Sequence, residues 1–184
     1  FEKDGSHEYI FAFEESYGYL CGDYARDKDA VTASMLIAEM AAYYRTQGKT
    51  LYDAMEEMYE KYGYYCEQTI SIVMPGVSGL QRMKELMQEL RDKPLTAVGP
   101  DKVDFTRDYI PGTRTCMADG RVEQMELKGQ NVMYYELEGG TTFIIRPSGT
   151  EPKVKVYIMA KGANKAEAEA KVDVLAAAAK EIVK

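Results

Sequence analysis

The run Thr142-Phe143-Ile144-Ile145, the heptapeptide Arg146-Pro147-Ser148-Gly149-Thr150-Glu151-Pro152 and the run Val154-Lys155-Val156-Tyr157-Ile158 constrain this chain more than any other stretch. β-branched and aromatic residues dominate both runs, and the prolines and glycine between them punctuate a strand–loop–strand unit. Alternation in the second run puts Val154, Val156 and Ile158 on one face and Lys155 and Tyr157 on the other. The loop itself has the chemistry of an anion cradle. Arg146 offers a bidentate fork, Ser148 and Thr150 offer hydroxyls, and Gly149 permits close backbone approach with N–H groups turned inward. Prolines at both ends limit the entropy lost when the loop orders around a ligand. A rigid hairpin connection bearing a surface arginine is the plain alternative, since short motifs also match by chance.

A second polar segment, Glu14-Glu15-Ser16-Tyr17-Gly18-Tyr19, follows the strand-like run Tyr9-Ile10-Phe11-Ala12-Phe13, and Arg26-Asp27-Lys28-Asp29 comes shortly after it. A carboxylate and a hydroxyl at a strand end suit the recognition of vicinal sugar hydroxyls, one accepting and the other donating or accepting. Alone, the segment is a polar loop.

Composition narrows the partners. With 46% apolar and 29% charged residues over 184 positions, the chain has ordinary globular composition and length for one large or two small domains. A net charge of −7 argues against nucleic acid, whose phosphate backbone needs a broad basic surface. An acidic protein that binds an anion must gather its cations locally, and Arg146, Lys153 and Lys155 are placed to do so. Cys21, Cys66 and Cys116 are odd in number and widely spaced, which fits a reducing cytoplasm better than a disulfide framework or a zinc site. No apolar run nears the roughly 18 residues that span a bilayer, and the first residues given lack the charged and apolar regions expected of a signal peptide.

Helical spacing from Ala30 to Tyr44, with Asp27 as N-cap, predicts a long helix ended by Gly48. Thr50 with Asp53 three residues on predicts a second helix ended by Gly63, and Thr69-Ile70-Ser71-Ile72-Val73 predicts a strand. Pro75-Gly76 breaks the pattern, so the domains are expected to span 1–74 and 75–184. The second opens with a helix capped by Ser78 that buries Leu80, Met83, Leu86, Met87 and Leu90. Residues 102–110 are loosely patterned. Strands near 131–138 and 141–146 joined by Gly139-Gly140, a strand at 153–160 and a helix capped by Asn164 with Glu167 follow. The fold class expected is α/β plus α+β: a partial α/β sugar-binding domain, then a small antiparallel sheet flanked by two helices.

Several signals point nowhere. Gly48-Lys49-Thr50 lacks the earlier glycine of a phosphate-binding P-loop, since Tyr43 stands there. Asp27 and Asp29 lack the third carboxylate of an Asp-x-Asp-x-Asp metal loop, so no metal site is expected. His7, the single histidine, has no partner set, and most of the methionines and tyrosines fall at core-packing spacing.

Taken in order, the two motifs make the chain similar to the C-terminal half of the α-D-phosphohexomutases, which carry a Glu-x-Ser sugar loop in a third domain and an Arg-x-Ser-Gly-Thr phosphate loop in a fourth. Phe13-Glu14-Glu15-Ser16-Tyr17-Gly18-Tyr19-Leu20, Asp23, Asp27-Lys28-Asp29 and the Arg-Pro-Ser-Gly-Thr-Glu-Pro-Lys-Val-Lys loop look most like the bacterial phosphoglucomutases of that family. The resemblance implies that Glu14 and Ser16 bind sugar hydroxyls, and that Lys28 lies near the reacting group, balancing charge or moving a proton. It implies that Arg146, Ser148, Gly149, Thr150 and Lys155 hold the phosphate that is not being transferred. Lys155 departs from the arginine of many relatives, keeping charge but losing the planar fork.

The activity implied is interconversion of glucose 1-phosphate and glucose 6-phosphate through a phosphoserine, Mg2+ and glucose 1,6-bisphosphate. The serine and the metal loop belong to the family's first and second domains and are not matched here. Thr32-Ala33-Ser34 resembles the nucleophile loop but is followed by Met35 in a helical stretch. The family is more than twice as long and this chain opens on Phe1, so it is expected to be an excised segment, inactive alone, whose partners are a sugar phosphate and the missing N-terminal domains. Phe13 and Tyr17 favour glucose phosphate. Mannose or pentose phosphate specificity, or a stand-alone non-catalytic sugar-phosphate binding module, are the alternatives.

Overall fold

The computed structural model describes residues 3–14, 17–149 and 151–184, and the chain divides into two compact units between Lys61 and Tyr62. In the first unit, β1 (Phe11–Phe13) pairs antiparallel with β2 (Tyr19–Cys21), and two helices follow, α1 (Ala30–Thr46) and α2 (Leu51–Tyr62). Local signals set these helices. Asp29, not Asp27, caps α1: its Oδ1 accepts from the amides of Val31 at 2.8 Å and Thr32 at 3.4 Å. Asp27 is turned instead toward the Lys28 N–H. Thr50 and Asp53 form the expected reciprocal box before α2, with the Asp53 N–H donating to Thr50 Oγ1 and the Thr50 N–H to Asp53 Oδ2. Neither helix buries a residue. Met35, Met40, Tyr43, Tyr52 and Met58 are exposed, contrary to the core role that their spacing suggests.

The second unit is built on a sheet in the order β3-β10-β9-β8-β5-β6-β7, antiparallel throughout. These strands are β3 (Tyr64–Val73), β5 (Asp101–Asp108), β6 (Thr113–Cys116), β7 (Val122–Gln124), β8 (Met133–Leu137), β9 (Thr142–Pro147) and β10 (Lys153–Gly162); the short β4 (Ala97–Val98) pairs with β5. Helices α3 (Gly76–Asp92) and α4 (Lys165–Ile182) complete it. The boundary expected after residue 74 is therefore misplaced. β3 pairs with β10 along its whole length, Tyr64 with Gly162 through Val73 with Lys153, so it is an edge strand of the second unit's sheet.

One core fills this unit. Leu86, Met87, Leu90, Val172, Leu175 and Ala179 of the helices meet Tyr135, Phe143, Ile145, Val154, Val156 and Ile158 of the sheet. Leu80, expected inside, is exposed, whereas Met83, Leu86, Met87 and Leu90 are buried. Ser78 does not cap α3, which begins two residues earlier after an extended Pro75. Asn164 does cap α4, its Oδ1 accepting from the Glu167 N–H at 3.0 Å, while Glu167 reaches back to the Ala163 amide. Gly139 and Gly140 take φ values of 76° and 80° between β8 and β9, a turn that only glycine makes without strain. The loosely patterned stretch proves to be strands. A register shift between Val103 and Phe105 interrupts the alternation of β5, which hides it from a period-two reading.

Candidate substrate-holding site

Two polar clusters carry the residues singled out by the sequence, one in each unit. In the first, Glu14 directly follows β1, and its N–H donates to Gly18 O at 2.9 Å. Glu15 and Ser16 lie outside the described residues. Gly18 is the one buried residue of this unit among those described, and its lack of a side chain is what makes room for the cluster. A Cβ there would stand 2.5 Å from Lys28 Cγ and 2.7 Å from Glu14 Oε1. Lys28 Nζ lies 3.0 Å from Asp27 Oδ1 and 3.6 Å from Glu14 Oε2, and hydrogen bonding and charge from Asp27, then the charge of Glu14, push its pKa above the ordinary lysine value.

Lys28 is held from behind. The Asp29 N–H donates to Tyr19 O at 2.8 Å, which ties the segment to β2. Tyr24 Oη donates to Asp29 Oδ2 and meets Thr32 Oγ1 at 2.5 Å, and Thr32 Oγ1 donates to Asp29 Oδ2 at 2.7 Å. These bonds hold the Asp29 carboxyl down at about 2. Lys28 thus precedes the N-cap and lies outside the first turn of α1, where the sequence had put it. Its unfavourable position near the helix dipole is offset by Asp27 and Glu14.

A concavity of 190 Å³ opens beside this cluster, lined in part by Glu14, Gly18, Arg26, Asp27 and Lys28. Arg26 also lines a neighbouring depression of 570 Å³ with His7, Glu8, Tyr9 and Asp23. Arg26 had drawn no role from the sequence. Its spacing two residues before Lys28 was the available signal. A larger groove of 810 Å³, between β1, β2 and α1, is lined mostly by apolar side chains, with Glu39 as its charged lining residue and none of the cluster residues.

In the second unit β9 and β10 set Arg146 and Lys155 directly opposite each other. Val154, Val156 and Ile158 are buried toward the helices, which leaves Lys155 and Tyr157 on the outward face with Arg146. Lys155 Nζ stands 5.9 Å from the centroid of the Tyr157 ring. Among the described residues the Arg146 guanidinium makes no ion pair or hydrogen bond. The other arginines on this sheet differ. Arg107 and Arg114 both reach Glu136, at 2.6 and 2.7 Å, and lie over the rings of Tyr134 and Phe105. Those guanidiniums are satisfied, and the hydrogen bond from Arg114 leads the set that holds Glu136 below the usual carboxylate range.

The connecting loop is folded upon itself. The Ser148 N–H donates to Lys153 O at 2.8 Å, the Lys153 N–H to Glu151 O at 2.8 Å, and the Glu151 N–H to Ser148 Oγ at 3.3 Å. The inward-turned amides expected of the loop are therefore engaged at these three positions. The cationic groups beside these amides are the side chains of Arg146, Lys153 and Lys155. Nothing lies within 4 Å of a Cβ added at Gly149, so a ligand has space to approach there, and Thr150 lies outside the described residues. Among the described residues no three His, Cys, Asp or Glu side chains converge. None of the described helices is long and apolar enough to cross a membrane.

Comparison with known proteins places both units in one family. Residues 2–62 match the profile of the phosphoglucomutase/phosphomannomutase alpha/beta/alpha domain III, and residues 114–177 match that of the phosphoglucomutase/phosphomannomutase C-terminal domain, together more than half of the chain. The phosphoglucomutase of Staphylococcus haemolyticus is 38% identical over 158 residues, covering 85% of this chain and 28% of that protein. A Staphylococcus aureus phosphoglucomutase is 35% identical over 164 residues, covering 89% and 29%. The chain thus spans less than a third of the length of these relatives. The crystal structure of the Paramecium exocytosis-sensitive phosphoprotein pp63/parafusin, a phosphoglucomutase in its open form, shares the fold with a TM-score of 0.59 at 18% identity, covering 94% of this chain and 30% of that one. With a match to domain III followed by a match to the C-terminal domain, the chain belongs to the α-D-phosphohexomutases and corresponds to their third and C-terminal domains.

Proposed function

We propose that this chain supplies the substrate-holding half of a phosphoglucomutase that interconverts glucose 1-phosphate and glucose 6-phosphate. The observation that carries this is the Arg146–Lys155 pair, two cations opposed across β9 and β10 beside a loop of the family's Arg-x-Ser-Gly-Thr pattern. Phosphoryl transfer depends mainly on positioning and charge stabilisation, which is the work these residues suit. Arg146 and Lys155, with Ser148, Gly149 and Thr150, hold the phosphate that is not being transferred. Glu14 and Ser16 read the sugar hydroxyls, and Lys28 places a positive charge beside them or moves a proton.

The transfer itself calls for a phosphoserine and Mg2+ with glucose 1,6-bisphosphate as intermediate, and we assign these to other segments of a longer chain, which we place in the cytoplasm. On that assignment this segment alone is inactive. Phe13 and Tyr17 support glucose over mannose or pentose phosphate. One feature favours a second function, a non-catalytic phosphate-binding module: the unit of residues 62–184 has a core of its own.

A backbone-amide NMR titration with glucose 1-phosphate tests the proposal, with inorganic phosphate and unphosphorylated glucose as controls. Shifts at residues 146–155 and 14–28 specific to the sugar phosphate are expected. Equal shifts with inorganic phosphate, confined to 146–155, would favour the module. No change at Arg146, Lys155 or their neighbours with any ligand would overturn the assignment.

A further inference from the structure

Three cations share the outward face at the β9–β10 connection: Arg146, Lys155 opposite it, and Lys153 two residues before Lys155 on the same face of its strand. One carboxylate stands among them. Glu151 forms an ion pair with Lys153, and its own backbone carbonyl accepts the Lys153 N–H. The Glu151 side chain is exposed and the Lys153 side chain three-quarters covered, so the carboxylate can swing away while the lysine stays in place. Lys153, and behind it Lys155, hold the Glu151 carboxyl below its usual range, which places both lysines in its field.

We propose that Glu151 is the resident counter-anion of this loop, pairing Lys153 until a phosphate displaces it, and so weakens phosphate binding and favours release. The inference rests on the phosphate site proposed above. A phosphate dianion held by Arg146 and Lys155 would meet the negative charge of Glu151 at the loop's edge, and the two would compete for Lys153. Glu151 is in this sense an affinity-setting residue that acts through Lys153. A substrate that must leave and return in the opposite orientation gains from a loop that does not hold it too tightly. This role differs in sign from a structural one. Were the ion pair needed to shape the loop, its removal would weaken binding.

The experiment is a calorimetric titration of this chain with inorganic phosphate at low and at high KCl, on the natural sequence, Glu151→Gln, Glu151→Asp and Arg146→Ala, with thermal melts to confirm equal folding. Glu151→Gln should lower the Kd by roughly three- to tenfold at low salt, and the gain should shrink as salt screens it. Glu151→Asp, which keeps the charge, should stay within about twofold of the natural sequence. A Kd in Glu151→Gln that is unchanged or raised, with Arg146→Ala still weakening binding, overturns the counter-anion role alone. Binding that Arg146→Ala leaves unaltered, or no binding in the natural sequence and Glu151→Gln alike, overturns the phosphate site and this inference with it.

Discussion

In residues 62–184 the helices α3 and α4 close over one face of the sheet, burying Leu86, Met87, Leu175 and Ala179 against Phe143, Val154 and Val156. In residues 3–61 the helices α1 and α2 bury nothing and leave Val31, Met35, Tyr43 and Met58 exposed. Both units have well-formed helices, so helix formation by itself tells little about a core. The first unit's elements are held by bonds between residues a few positions apart, such as Thr50 with Asp53 and Asp29 with Val31. The second is held by apolar contacts between residues of different helices and strands, distant in sequence. The two candidate clusters follow the same division. Lys28 is positioned by neighbours in sequence, whereas Arg146 and Lys155 meet because two strands pair.

This contrast can be broken most severely in the core. Phe143→Ala should destabilise the second unit by about 3–5 kcal/mol, since Phe143 is fully buried, while the amides of α1 and α2 keep their exchange rates. Urea unfolding followed by residue-resolved hydrogen exchange checks both halves; loss of protection throughout residues 3–61 would show that the first unit depends on the second. Arg146→Ala should leave the urea midpoint unchanged because the side chain is exposed, yet weaken phosphate binding by about tenfold, roughly 1.4 kcal/mol. A matched pair of cap substitutions sharpens the contrast further. Asn164→Ala should cost about 1 kcal/mol of the second unit's stability with α4 still formed, because its buried face keeps it docked. Asp29→Ala, in a helix with no buried residue, should instead fray the first turn of α1 and release Tyr24, visible as lost amide protection at Val31 and Thr32.

Acid gives the smallest and most local effect. The Asp29 carboxyl is lowered to about 2 from 3.8, so its contribution is complete above pH 4 and disappears as pH falls through 2. Amide shifts of Val31 and Thr32 should titrate over that window. A midpoint near 4 would show that Tyr24 and Thr32 do not hold the carboxylate in solution.

Much of the helical structure was legible because its signals are local. Thr50 with Asp53, Asn164 with Glu167 and the Gly139-Gly140 turn each lie within a few residues of the partner they bond or the turn they make. The faces of β10 followed from alternation, with Val154 and Val156 buried and Lys155 outward. Residues 101–124 were not legible as strands, since the irregularity after Val103 breaks the period and Arg107 and Arg114 find their carboxylate in β8, far along the chain. The cap of α1 was off by two residues because Asp27 and Asp29 are equivalent as residue types, and only the geometry of Tyr24 and Thr32 tells them apart.

By itself, then, the sequence determined the helices, their stops, the family and the residue types of both polar loops, because caps, turns and motifs act over a few positions. Only the tertiary structure decided that β3 joins the second unit, that Arg146 faces Lys155, that Gly18 yields its space to Glu14 and Lys28, and that Glu151 occupies Lys153. Those are pairings between strands and packing between side chains, and their free energy exists only once distant segments have been brought together.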